Sequence, residues 1–192
     1  MGGKYAAWEA GEITPEAVLA HKAPTEGFLC PLAANKYGID FREFEIKDYD
    51  KALSLFHVTR PADAPAIDVT QVPEHMEDQV RSIQYTFPKA FFDMETIKTS
   101  LVFSVGSEPV PSLRMIERHY FKGELQRSYD FTFGFCIPGS TNSWEAVYPV
   151  PQMSAAQKED MLNCPHETAS DSFYFVGDTL IMHNKASYAY SG

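Results

Sequence analysis

The sequence predicts an all-β protein, an antiparallel β-sandwich, and three observations carry that expectation. Many short segments alternate apolar and polar residues with the period of two that a half-buried strand requires. No strand–helix–strand alternation of the kind that builds a parallel sheet is present. Helix signals are confined to two short stretches, one near each end of the chain. A closed barrel fits the same pattern and is the alternative.

Residues 1 to about 12 carry no clear period. GEITPEAVLAHK then reads as a short helix with Thr14 as its N-cap and Pro15 at the first helical position. Residues 1–24 are therefore an N-terminal arm, not a second domain, and residues 25–192 are the sandwich. DFREFEI and LSLFHV are the first strand-like segments. RPADAPAIDVTQVPEHMEDQ, residues 60 to 79, is rich in proline, alanine and acidic residues and reads as a long surface loop that tolerates change.

RSIQYTF follows, and then IKTSLVFSV, which puts Ile97, Thr99, Leu101, Phe103 and Val105 on one face and Lys98, Ser100 and Ser104 on the other. YDFTFGFCI stacks Tyr129, Phe131, Phe133 and Phe135 on a single side. SAAQKEDML is the second helix, with Ser154 and Gln157 spaced as a capping box. FYFVGDTLIMH holds a Gly177-Asp178 pair between apolar runs, a two-residue hairpin signal with glycine where the turn needs positive φ. With ASYAY, about nine short strands emerge.

MIERHYF, residues 115 to 121, leaves neither face free of charge. Its odd face carries Met115, Glu117, His119 and Phe121. Its even face carries Ile116, Arg118 and Tyr120 and is extended by Arg114 and Lys122. A row of like charges is hard to bury and easy to solvate, so the odd face turns inward. That brings a carboxylate and an imidazole to the interior. Three readings stay open for the pair: a satisfied buried pair, the polar end of a ligand site, or a metal site.

The chain has 192 residues, enough for one domain of ordinary size. Its 14 phenylalanines, 10 tyrosines and 2 tryptophans concentrate the apolar mass in large rings, which fill a core or line a slot between sheets held apart. The formal charge of −10 argues against nucleic acid as a partner and against residence on anionic membranes. No apolar run resembles a signal peptide or a membrane span, and the odd cysteine count fits a reducing, soluble compartment. Gly2 in MGGK stands where myristoylation needs it, but Ala6 replaces the required Ser or Thr.

Little in the pattern points to catalysis. Cys136 or Ser172 could act as a nucleophile with one of six histidines. Nothing places base and nucleophile together, G-x-S-x-G is absent, and Cys136 sits inside an apolar strand. Cys164-Pro165-His166-Glu167 has no matching second ligand pair, so no metal and no cofactor are expected. No glycine-rich phosphate loop follows a strand and opens a helix.

RMIERHYF, SYDFTFGFCIPGS and SDSFYFVGDTLIMHNKASYAYSG resemble the signature segments of the Unc (uncoordinated, one-nineteen) acyl-binding chaperones. GEITPEAVL, FLCPLAANKYGIDFREFEIKDYD and IQYTFPKAFF extend the resemblance from about Gly11 to Gly192, with a lapse in the 60 to 79 loop. That family is sister to the prenyl-binding delta subunit of rod cGMP phosphodiesterase and shares an immunoglobulin-like sandwich.

The resemblance implies a carrier and not an enzyme. It implies that the N-terminal myristoyl or lauroyl group of a cargo protein lies between the two sheets, that an Arf-like small GTPase in its GTP state releases it, and that delivery is to membranes or cilia from the cytoplasm, without stable membrane insertion. It implies lipid-binding positions at Phe44, Ile46, Tyr85, Phe91, Glu117, His119, Tyr129, Tyr148 and Tyr174. Tyr129 stands where the family often has phenylalanine, and YPVPQ where it has YDFPP, so that Val150 takes the place of a pocket ring. The rival readings are a prenyl carrier, an adaptor with a filled core, and a Glu117/His119 hydrolase.

Overall fold

In the computed structural model, which describes residues 3–61, 63–65 and 68–191, the described strands are β1 (Asp40–Asp48), β2 (Leu53–Thr59), β3 (Ser82–Pro88), β4 (Thr96–Ser104), β5 (Val110–Phe121), β6 (Glu124–Cys136), β7 (Thr141–Pro149), β8 (Thr168–Val176) and β9 (Thr179–Ser191). They form a four-stranded sheet in the order β2-β1-β4-β7 and a five-stranded sheet in the order β3-β9-β8-β5-β6. Every pairing is antiparallel except β3 with β9, which run parallel. The chain reaches β3 only after the long 60–81 connection, which carries it from the first sheet to the second. Among the described residues no helix is long and apolar enough to cross a membrane.

Burial alternates residue by residue along β4, with Ile97, Thr99, Leu101 and Phe103 inward. The hairpin at Gly177 and Asp178 pairs Val176 with Thr179, and Gly177 takes φ +59° as the two-residue turn demands. Helix α1 (Ala6–Glu9) precedes α2 (Pro15–Ala20), where the Thr14 hydroxyl accepts from the Ala17 N–H at 3.2 Å. Short α3 (Glu77–Val80) and two 3₁₀ turns lie in the 60–81 connection. Helix α4 (Ala155–Asn163) has the full capping box: Ser154 Oγ accepts from Gln157 N and Gln157 Oε1 accepts from Ser154 N. Gly2, and positions 62, 66 and 67 of the predicted loop, lie outside the described residues.

The sequence expectations need five corrections. TLIMH and ASYAY are one continuous strand, β9, and β7 is a strand that no predicted segment covers. Phe135 does not share a face with Tyr129, Phe131 and Phe133. At Gly134 (φ +83°) the register with β5 shifts, which turns Phe135 out to solvent and Cys136 into the core.

The even face of β5 is not solvated. Ile116, Arg118 and Tyr120 are each no more than 3 % exposed, because the N-terminal arm lies over them. Arg118 is tolerated there because its guanidinium donates to the His21 carbonyl at 2.6 Å. Lastly, the 60 to 79 loop is fastened at its start, where Arg42 donates to the Ala64 carbonyl at 2.7 Å and Arg60 pairs with Asp40.

The outer face of the five-stranded sheet thus forms a core of its own. Ile116, Phe173, Phe175 and Leu180 pack there against Val18 of the arm and against Cys30 and Ala34 of the segment that follows it, with Trp8 and Leu19 at the margin. Trp8 Nε1 donates to the Leu180 carbonyl at 2.7 Å and Arg81 donates to the Cys30 carbonyl at 2.7 Å. Beneath them the Asp171 carboxylate accepts from Lys185 Nζ at 2.6 Å, from Thr25 N at 3.0 Å and from His183 Nε2 at 3.1 Å.

Candidate functional site

Between the sheets the apolar residues do not merge into one core. One cluster, built on Leu101, Phe103, Val110, Leu113 and Val176, fills one end. A second, built on Ile46, Phe87, Phe92, Ile97, Val150 and Tyr190, fills the other. Phe44 packs against both, and a cavity of about 490 Å³ lies between them. That volume falls within the roughly 300–1,000 Å³ typical of small-molecule sites. A depression on the outside of the four-stranded sheet has about 560 Å³ but is an open groove around Arg42 and Arg60, both already engaged with Asp40.

Strand alternation supplies the cavity wall. Phe44 and Ile46 of β1, Tyr85 of β3, Glu117 and His119 of β5, Tyr129 of β6, Tyr148 of β7 and Tyr174 of β8 all line it. Phe91 joins from the 3₁₀ turn after β3. All nine residues named from the sequence therefore meet in one space. Val150 also lines it. The same space takes in Phe56, Phe87, Met115, Phe131, Trp144, Ser172 and Tyr188, which are not among those nine. The signal for most of them was available, since each occupies the inward phase of a strand already assigned. Trp144 is the exception, because it stands on the unpredicted β7.

Rings dominate the surface. Phe56 meets Tyr85 edge-on at 4.8 Å, Tyr85 stacks on Tyr188 at 5.3 Å, and Phe87 stacks on Phe91 at 5.3 Å. On the opposite edge Tyr129 meets Tyr148 at 5.1 Å and Phe131 meets Trp144 at 4.7 Å. These contacts close the seam between β6 and β7 and hold the sheets apart at ring width.

Polar side chains are the minority, with Thr99, Glu117, His119, Ser170, Ser172 and Asn184 set among the rings. Glu117 Oε1 lies 3.2 Å from His119 Nε2, and both side chains are about a quarter exposed into the cavity. The two groups thus face one another within the cavity. His119 also meets the Tyr129 ring edge-on at 5.7 Å. Glu117 is the one carboxylate on the wall among the described residues. Burial pushes the hydroxyls of Tyr85, Tyr148, Tyr174 and Tyr188 well above the ordinary tyrosine range, and the charge of Glu117 adds to that in all of them. These hydroxyls stay protonated at neutral pH, and Tyr188 shares a hydrogen bond with Ser170 at 3.0 Å.

The nucleophile candidates do not assemble. Cys136 is packed with Val110 and Leu113, and burial pushes its thiol up. Ser172 faces the cavity opposite Glu117 in the β5–β8 register, and among the described residues its hydroxyl has no hydrogen bond to a histidine. His166 Nδ1 is occupied by Ser187 Oγ at 3.1 Å, and Cys164 lies against Asp160 at 3.6 Å. Among the described residues no group of three or more His, Cys, Asp or Glu side chains is set to hold a metal ion.

Comparison with known proteins gives a consistent result. The family profile described as "GMP-PDE, delta subunit" matches residues 33–190. The chain is 44 % identical over 179 residues to protein unc-119 of Caenorhabditis briggsae, covering 93 % of this chain and 80 % of that protein. It is 43 % identical over 185 residues to protein unc-119 homolog B of Danio rerio, covering 94 % and 75 %. Against the Homo sapiens unc-119 homolog B the identity is again 43 % over 185 residues, covering 94 % and 72 %. With a profile matched over most of its length and relatives of this similarity across nearly all of it, the chain belongs to the GMP-PDE delta-subunit family and, within it, to the unc-119 proteins.

Proposed function

We propose that the protein is a carrier for acylated proteins. In this reading it takes the N-terminal myristoyl or lauroyl group of a cargo chain, with the first residues of the peptide, into the cavity between its sheets. The observation that supports it best is the cavity itself, about 490 Å³ walled largely by aromatic rings, with Glu117 and His119 facing one another inside. A sandwich adaptor would fill that space with side chains, and a hydrolase would bring a nucleophile and its base together there.

The energetics fit a carrier. A single myristoyl chain holds a protein to a bilayer with an association constant of only about 10⁴ M⁻¹, although each buried methylene contributes roughly 0.8 kcal/mol. A preformed apolar cavity competes at that level. The buried hydroxyls and the Glu117–His119 pair add polar contacts to the linking amide that a bilayer core cannot offer, which favours an acylated peptide over the bare lipid surface. The net charge of −10 keeps the carrier from anionic lipid. Release by a GTP-bound Arf-like GTPase requires that the GTPase bind the emptied form better than the loaded one, by the factor it imposes on cargo affinity. Delivery to membranes, including those of cilia, then follows the location of the GTPase.

The test is fluorescence anisotropy of one labelled peptide, with and without an N-terminal myristoyl group, titrated with the protein and with Ser172→Phe. Ser172→Phe puts a ring into empty space, so it is expected to keep the fold and lose the acylated peptide. Tight binding of the acylated form alone supports the carrier. Equal or absent binding of both peptides refutes it, and preference for a farnesylated version of the peptide would redirect it to a prenyl carrier.

A further inference from the structure

The cavity reaches the surface in two places of opposite chemistry. On one side its rim is Gln126 and Arg127 of β6 with Gln152 and Gln157 at the start of α4. The glutamines are exposed, and Arg127 stands opposite His119 in the β5–β6 register, so polar groups run inward from this rim to the Glu117–His119 pair. On the other side the cavity ends at Val58 of β2 and Ile83 of β3. β3 and β6 are opposite edges of the five-stranded sheet, which puts the two rims across the sandwich from one another.

Val58 and Ile83 behave unlike their neighbours. Val58 pairs with Phe44, and Ile83 is two residues from Tyr85 on the same inward face of β3. Yet Val58 is 49 % exposed and Ile83 44 %, whereas Tyr85 and Phe87 farther along are 6 % and 3 %. Two inward-facing aliphatic side chains are exposed because the seam between β2 and β3 is open at that height. The two strands are edges of different sheets and share no backbone ladder. What closes the seam is the edge-on contact of Phe56 with Tyr85 at 4.8 Å, just below the opening.

We propose that this seam is a second mouth of the cavity, which receives the methyl end of acyl chains too long for the enclosed volume, with Val58 and Ile83 setting the length limit. The proposal rests on the acyl-carrier reading and gives the ligand a direction. The peptide leaves by the glutamine-lined rim, where amides find hydrogen-bond partners, and the tail points to the seam, where Val58 and Ile83 offer apolar surface.

The experiment is a matrix of dissociation constants. One N-terminal glycyl peptide is prepared with saturated C12, C14, C16 and C18 acyl groups and titrated against the wild-type chain, Val58→Trp and Ile83→Trp, each checked for an unchanged melting temperature. The wild-type chain is expected to gain affinity up to C16, by as much as roughly tenfold for two further methylenes. Each plugged variant is expected to raise the ratio of the C16 to the C12 dissociation constant at least tenfold. A C16 chain with a terminal diazirine is expected to cross-link at β2 and β3, and a C12 analogue inside the cavity. Three results overturn the proposal while leaving the carrier reading intact: rejection of C16 and C18 by a wild-type chain that binds C12, equal losses at every length in the plugged variants, or C16 cross-links confined to the interior. Failure of every acyl peptide to bind overturns both.

Discussion

Asp171→Asn tests whether the arm is held by chemistry or merely rests on the sheet. The Asp171 side chain is fully buried, and every hydrogen bond to it is donated. Leu29 N donates to His183 Nδ1 at 3.0 Å, so the imidazole carries its hydrogen on Nε2 and donates that to Asp171. Lys185 and Thr25 donate as well. An asparagine has one acceptor oxygen where the carboxylate has two, and its amide N–H bonds face only donors.

Breaking a buried ion pair from one side costs about 3–5 kcal/mol. The lower end applies, since Lys185 keeps 22 % of its side chain in solvent and retains the Thr25 carbonyl at 2.7 Å. We expect a loss of about 3 kcal/mol at pH 7, which for a domain of this size is a fall in melting temperature of about 6–12 °C. Urea unfolding followed by tryptophan fluorescence measures it. Trp8 reports the arm and Trp144 the cavity wall, so single-tryptophan versions also show whether the arm leaves first. A loss below about 1 kcal/mol would refute the assignment of Asp171 as the anchor.

Gly106→Ala is expected to cost about 2 kcal/mol by chemical denaturation, because its Cβ would stand 2.8 Å from the Tyr37 carbonyl oxygen, a backbone atom with little freedom to withdraw. Burial pushes the Cys30 thiol up to about 12 despite the nearby charge of Arg81, so alkylation of the native protein at pH 8 should leave Cys30 unmodified and mark the half-exposed Cys164 first, as read by peptide mass spectrometry. Burial also lowers His183 below its ordinary 6.5, with Lys185 and Arg81 acting the same way and Asp171 opposing. The unfolded chain then takes up a proton near pH 6.5 that the native imidazole refuses, so this contribution to stability is full above 6.5 and falls as the pH drops below it. His183→Gln should flatten the loss of stability between pH 7 and 5, and an unchanged slope would sink that account.

Much of the fold was legible because alternation is a local signal. β4, the Gly177-Asp178 turn, the Thr14 cap and the Ser154 capping box all follow from residues within a few positions of one another. β7 was not legible, since its inward positions are Asn142, Trp144, Ala146 and Tyr148, only two of which are large and apolar. The flip at Gly134 hid in a run of aromatics whose period looked unbroken. Arg118 misled for a physical reason: its partner is the His21 carbonyl, and a backbone acceptor 97 residues away leaves no mark on side-chain pattern. The nine candidate positions came from the family resemblance and not from alternation alone, and the structure brings all nine to the wall of one cavity.

The five-stranded sheet presents its two faces to different tasks through the same strands. Arg118, tied to the arm, lies between Glu117 and His119, which line the cavity, and Asp171 lies between Ser170 and Ser172, which line it too. With the arm fastened on the outside, those strands are rigid walls for whatever lies inside. Among the described residues the four-stranded sheet has no such backing. Its outer face is charged and solvated, with Lys98 on Glu145 at 2.6 Å and Lys47 on Glu45 at 2.8 Å, pairs worth little to stability. A step that widens the space between the sheets costs less by moving β2 or β7 than by moving the sheet the arm secures. A partner that released cargo from the proposed carrier would gain differential affinity by engaging an edge of the four-stranded sheet. The ring contacts Phe56–Tyr85 and Phe131–Trp144 across the two seams are what it must break.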